Sequence, residues 1–300
     1  AQKTAFKFSS RYKRFYFCGS RRHKPTKNFR LVFAAGGTIN KKRPHGTVPE
    51  RPEGLNDMAD KIFFTPAKGG AGCTTVVTGV AFALAAAGER TLVIDGDNAC
   101  GCGLEICGCV GMQVFTAEDY AEGKCRAKQA TVQHPKYRNM YIMPTTGLAD
   151  KTALKSAIGE LDGLFDYILC DGAAAGACGR AVVVTEPYSP CVKACDVAVS
   201  RLKDGGMKNT GIIINKVNGG LILGGDIPYP EDIAAAVNAP LTGVIPEDLS
   251  LTVGVWRRYS GAYFKITAQR LAGRQTKIPY IENEYSGAGG YFRRKMRSRI

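Results

Sequence analysis

Residues 67–75, AKGGAGCTT, set three glycines and two threonines directly after a short apolar run, KIFFTP at 61–66, and directly before a stretch with helical composition. This is the make-up of a loop that receives phosphate. Gly69, Gly70 and Gly72 let the backbone turn tightly with its N–H groups inward, and a helix beginning near Thr74 directs its positive end at the same point. The Thr74 hydroxyl is placed to serve Mg²⁺. One position departs from this chemistry: Cys73 stands where such a loop carries the lysine that bridges the outer phosphates. A glycine-rich turn alone also describes an ordinary strand-to-helix connection, so its meaning depends on what else the chain brings to it.

Other short apolar runs follow at 91–95 (TLVID), 140–144 (MYIMP), 166–171 (DYILCD), 181–187 (AVVVTEP), 211–217 (GIIINKV) and 241–246 (LTGVIP), several of them rich in Val and Ile. Helical stretches lie between them at 74–89, 151–161 and 230–238, the last opening with Pro230, Glu231 and Asp232 as a helix N-terminus prefers. Strands apolar throughout suit a parallel sheet buried on both faces. Repeated strand, helix, strand units with right-handed crossovers then predict an α/β fold, a doubly wound, mostly parallel sheet flanked by helices. Ligands on such a sheet bind at the carboxyl ends of the strands, where the glycine loop stands.

Taken in order, KGGAGCTT, LVIDGDNACGCGLEICGC, FDYILCDGAAAG, VVVTEPYSP, IIINKV and LTGVIPED resemble the MinD/ParA family of deviant P-loop ATPases, over residues 60–273 or so. The resemblance implies a P-loop NTPase fold with ATP and Mg²⁺ as its ligands, and a nucleotide loop made of Gly69, Gly70, Ala71, Gly72, Cys73, Thr74 and Thr75. It implies that Lys68 is the family's signature lysine, reaching across a sandwich homodimer to the partner's phosphates. Asp95 and Asp97 match the acidic pair after the second strand, Asp97 orienting the attacking water. Thr74, Asp95 and Asp171 would serve the metal, and hard oxygen donors at strand ends agree with that role. Asn215, Pro246 and Glu247 fall where the family holds adenine. Family members work with MinC- and MinE-like regulators in the spatial control of cell division.

Two loop positions break the family pattern: Ala67 replaces a glycine, a mild change where φ is negative, and Cys73 replaces the lysine. Losing that cation puts turnover in doubt more than binding, because positive charge on the transferring phosphoryl group is a main source of rate. Three functions therefore follow: a nucleotide-dependent ATPase switch, a scaffold of the same fold without turnover, or a ParA-like DNA-segregation factor. Cys73 itself is either a small space-filling side chain or, at a helix N-terminus, a reactive thiolate. Cys100, Cys102, Cys107 and Cys109 crowd into ten residues. They could hold zinc or an iron–sulfur cluster, but C-x-C is not the commoner C-x-x-C spacing, and buried cysteine packs as a small hydrophobe. Cys178, seven residues after Asp171, resembles one cluster ligand of the nitrogenase iron protein, with no second ligand to match it.

The chain carries a net charge of +15, and the charge sits at its ends. Residues 1–57 hold 14 Lys and Arg against 3 Asp and Glu, residues 289–300 hold 5 against none, and residues 58–288 are nearly neutral at 22 against 23. A neutral body argues against a fold-wide nucleic-acid surface, so nucleic acid is not an expected partner. The expected organisation is a basic, disordered or non-native extension over 1–57, in which aromatics among basic residues could also bind single strands, a nucleotide-binding domain over 58–278, and a linker and basic tail over 279–300. Met58, just before the first strand, is a candidate start. In the tail, Phe292, Met296 and Ile300 recur at i, i+4 and i+8 among Arg293, Arg294, Lys295, Arg297 and Arg299. That is a short amphipathic helix suited to an anionic membrane surface, or else a frayed basic tail. Eleven cysteines, an odd number at modest density, fit a reducing cytoplasm. The resemblance places the protein there, peripheral to the inner face of the cell membrane.

Overall fold

A computed structural model describes residues 58–96, 102–145, 150–254, 256–287 and 290. Within these, the strands are β1 (Asp60–Pro66), β2 (Thr91–Asp95), β3 (Val132–Gln133), β4 (Met140–Pro144), β5 (Tyr167–Asp171), β6 (Arg180–Thr185), β7 (Thr210–Val217) and β8 (Leu241–Pro246). The helices are α1 (Cys73–Ala86), α2 (Cys102–Cys107), α3 (Ala117–Ala121), α4 (Lys151–Leu161), α5 (Ser189–Asp204), α6 (Gly219–Gly224), α7 (Pro230–Ala236) and α8 (Arg258–Leu271). The strands form one sheet in the order β3-β4-β2-β5-β1-β6-β7-β8, parallel except for the short edge strand β3. The expected doubly wound, mostly parallel architecture is present.

Side-chain alternation explains why the sheet needs helices on both faces. Along β1, Ile62 and Phe64 join one buried cluster and Phe63 a second; Val93 and Leu169 side with the first, Leu92, Ile94, Ile168 and Cys170 with the second. Because both sets are apolar, the strands read as continuous hydrophobic runs. Helices α1 and α8 cover the first cluster, with Val76, Val77, Val80, Leu84, Phe264 and Leu271 buried, and they cross closely at Gly79. A Cβ there would lie 2.4 Å from the Phe264 ring. Helix α4 covers the second cluster through Leu154, Ala157, Ile158 and Leu161.

Strand boundaries follow the expected runs to within a residue or two. The main difference is at 181–187, where β6 stops at Thr185. The Thr185 hydroxyl donates to the carbonyls of Glu186 and Cys191, folding the chain into α5. Helices α5 and α8 continue the strand–helix alternation, while β3, α2, α3 and α6 are short additions to it. The extension 1–57, the tail from 291 on, Asp97 and Cys100 lie outside the described residues, as does the Cys102 side chain.

A buried histidine ties α2 to the β3–β4 hairpin. His134 Nδ1 accepts from the N–H groups of Lys136 and Tyr137 at 3.1 and 2.9 Å, so the proton sits on Nε2, which donates to the Cys107 carbonyl at 3.0 Å. Burial, aided by Lys136, holds its pKa below the ordinary imidazole value despite the Cys107 bond. The folded protein therefore keeps His134 neutral where the unfolded chain would protonate it, and stability falls as pH drops below about 6.5. Thermal midpoints measured from pH 7.5 to 5.5 are expected to fall for the natural protein and to fall less steeply for His134→Asn.

Candidate functional site

The loop between β1 and α1 lies at the carboxyl end of the sheet. The Ala67 N–H bonds the Val184 carbonyl at 2.8 Å, extending the β1–β6 pairing into the loop, and the Ala71 N–H closes a turn on the Lys68 carbonyl at 3.2 Å. Gly70 and Gly72 sit at φ 84° and 82°, in the left-handed region that favours glycine. Helix α1 begins directly after Gly72, with no side-chain cap and no acid in its first turn. The helix dipole there favours an anion. Lys68, Gly69 and Gly70 are exposed, and Thr74 and Thr75 are half-buried.

Two residues of β7 hold the loop. Asn215, 5% exposed, donates its side-chain amide to the Ala71 carbonyl at 2.9 Å, and Lys216 Nζ donates to the Gly70 carbonyl at 2.7 Å. Both owe their direction to an irregularity at the end of β7. Ile214 pairs with Val244 and Val217 with Pro246, so β7 carries one residue more than β8 over that interval. Lys216 adopts φ 56°, unusual for a residue with a side chain. Pro246, paired with Val217, and Glu247, which accepts from Asn218 at 2.9 Å, stand on the neighbouring strand end. Asn215, Pro246 and Glu247 are therefore grouped, with the Asn215 Nδ2 turned onto the loop.

The described acids come together as well. Asp95 and Asp171 end β2 and β5, are 1% and 2% exposed, and are partners in the parallel register. Their Cα atoms are one strand spacing apart, about 4.8 Å. Asp95 Oδ2 accepts from the Gly103 N–H at 3.0 Å. Adjacent buried carboxylates repel each other as anions, a cost that a hard divalent cation removes. These carboxylates, and the Thr74 hydroxyl at the start of α1, are oxygen donors of the kind that Mg²⁺ takes. The backbone here leaves no spare room: a Cβ on Gly96 would overlap Ala173 Cβ at 2.1 Å. Asp97 follows this strand end, outside the described residues.

Cys73 is 7% exposed and packs within the α1 core cluster. Cys107 and Cys109 are buried too, and burial pushes their thiols up to about 12 and about 11. Among the described residues, no three His, Cys, Asp or Glu side chains group as metal ligands. Cys178 Sγ donates to the Ala174 carbonyl at 3.6 Å. Lys216 and its ion-pair partner Glu186 are the site residues that sequence reasoning missed. The motif IIINKV contained the lysine, but nothing in it announced the extra residue that turns the side chain onto the loop.

A family model described as the CobQ/CobB/MinD/ParA nucleotide binding domain matches residues 62–253. Over 266 residues the chain is 29% identical to the septum site-determining protein MinD of Escherichia coli K12, an alignment covering 77% of this chain and 97% of that protein. It is similar to the septum site-determining protein MinD of Pyrococcus horikoshii complexed with Mg-ADP, with a TM-score of 0.63, 25% identity, and coverage of 74% of this chain and 100% of that one. It shares its fold with a chain of the MinC:MinD cell division protein complex of Aquifex aeolicus, with a TM-score of 0.68, 23% identity, and coverage of 74% and 98%.

The loop geometry can be tested through its glycines. A Cβ on Gly72 would lie 2.5 Å from Asn215 Nδ2 at a positive φ, whereas one on Gly69 meets nothing within 4 Å. Gly72→Ala is expected to cost about 1–3 kcal/mol in urea unfolding, from left-handed strain plus the disturbed hydrogen bond. Gly69→Ala is expected to stay within about 0.5 kcal/mol.

Proposed function

The chain belongs to the CobQ/CobB/MinD/ParA family of nucleotide-binding domains, and on that premise we propose that it is a MinD-like switch that binds Mg-ATP, dimerises and acts at the membrane surface in the spatial regulation of cell division. The observation that carries this reading is the glycine loop held by Asn215 at the same sheet edge as the buried pair Asp95 and Asp171. The likeness to a MinD protein complexed with Mg-ADP supports the choice of ligand.

In this reading the loop over residues 69–75 cradles the phosphates, and Asn215, Pro246 and Glu247 border the adenine. Thr74, Asp95 and Asp171 hold Mg²⁺, which neutralises phosphate charge when bound. Lys68, exposed at the loop's tip, contacts the phosphates bound by the second protomer, and Asp97 orients water for in-line attack on the γ phosphate. The described residues contain no helix long and apolar enough to cross a membrane; in this reading the basic tail, with its apolar stripe Phe292, Met296 and Ile300, makes the membrane contact. Ten residues bury little area, and dimerisation supplies two such anchors and an avidity gain. A MinC-like regulator is the partner, as in the complex of the A. aeolicus relative.

A second reading, a scaffold of the same fold without turnover, is favoured by one observation: the residue at the lysine position is a cysteine packed in the core. Without the lysine the site lacks a charge-assisted contact worth roughly 1.5–3 kcal/mol, about ten- to 150-fold in affinity. Hydrolysis loses more, because that charge acts on the transition state.

Calorimetric titration with Mg-ATP is expected to show binding that EDTA weakens, and its absence would overturn the nucleotide reading. Phosphate release then separates the two readings. Turnover by the natural protein excludes the scaffold, and turnover appearing only in Cys73→Lys supports it. For the tail, the full chain is expected to pellet with anionic liposomes in Mg-ATP and a chain ending at Gly290 is not; equal pelleting would remove the tail as anchor.

A further inference from the structure

Lys216 has no place in the nucleotide chemistry assigned above, yet it makes the most far-reaching contact in the site. Loop 67–72 leaves β1, Glu186 follows β6 and Lys216 is the penultimate residue of β7, three neighbours in the sheet. Lys216 therefore reaches past the end of β6 to the loop, across two strand spacings, about 9.6 Å. Its ammonium donates to the Gly70 carbonyl at 2.7 Å and pairs with Glu186 Oε1, and its Cε lies 3.9 Å from where a Cβ on Gly72 would stand. Glu186 Oε2 in turn accepts from the Cys191 thiol at 3.9 Å, at the start of α5.

We propose that Glu186 and Lys216 form a clamp that sets the shape of the phosphate loop, with Lys216 a positioning residue for nucleotide binding. The inference rests on the nucleotide reading given above. A trans peptide points its C=O and the following N–H in opposite directions. Holding the Gly70 carbonyl on the β7 side aims the Ala71 N–H the other way, onto the Lys68 carbonyl, and so fixes the turn over residues 68–71. Asn215 does the same one peptide later, holding the Ala71 carbonyl and turning the Gly72 N–H away from β7. A loop of small residues pays a large entropic cost to hold one conformation. Two side chains anchored on a buried strand lower that cost before the ligand arrives, and the clamp matters most in a chain whose loop has no lysine of its own at 73 to draw it around the phosphates.

The clamp and its use are tested separately. In nucleotide-free protein, Lys216→Met is expected to speed amide hydrogen exchange in residues 68–72 about tenfold while leaving the core strands unchanged, and Lys216→Arg to keep exchange near the natural rate. In Mg-ATP titrations, Lys216→Met is expected to weaken binding about five- to tenfold, discounted for its half-exposed pair. Lys216→Arg should stay within about twofold, and Glu186→Gln added to Lys216→Met should cost nothing further. Unchanged loop exchange in Lys216→Met overturns the clamp. Faster exchange with unaltered affinity overturns its role in binding. If the natural protein binds no nucleotide, the earlier reading fails and the exchange data alone decide the clamp.

Discussion

The side-chain amide of Asn215 bonded to the carbonyl of Ala71 joins β7 to the glycine loop that follows β1. Its donor and acceptor are both buried, so the bond is made without competition from water, and losing either partner would leave the other unsatisfied. Much of the local structure serves that bond. Gly72 must lack a side chain because any Cβ would displace the amide, and β7 must carry its extra residue so that Asn215 and Lys216 both turn to the loop. Helix α1 starts directly after Gly72 without a side-chain cap, so its N-terminus faces the same loop.

The charges at this edge are arranged around an absence. At position 73 a family loop offers a cation, and here a cysteine fills core space beside Val76 and Val77. The basic groups that approach the loop do so from its exposed tip, through Lys68, and from β7, through Lys216. Opposite them, Asp95 and Asp171 are held side by side at the ends of adjacent parallel strands. The edge thus sets buried acids on one side of the loop and lysines on the other.

Rigidity behind the edge comes from ordinary packing. The sheet buries both faces, α1 presses against α8 where Gly79 admits the Phe264 ring, and His134 pins α2 to the β3–β4 hairpin through a neutral imidazole. Cys107 and Cys109 belong to this packing, their thiols held protonated by burial. Those two thiols contribute apolar volume to the core.

The amino-acid sequence already carries the strand runs, the parallel sheet buried on both faces, the glycine loop between β1 and α1, and the family motifs at the strand ends. These are local properties: apolar period, glycine content and the order of short motifs along the chain. It did not reveal β3, which at two residues is too short to show a period, although Tyr263, Phe264, Ala268 and Leu271 recur at helical spacing in α8. Nor did it reveal that Glu186 and Lys216 would meet. Thirty positions separate those two, and they come together only because β6 and β7 are neighbours in the sheet and because one unpaired residue in β7 reverses which way a side chain points. Strand order and register arise from long-range pairing, which no short stretch of residues encodes, and so tertiary structure alone decided that a lysine outside the loop would hold its backbone in place.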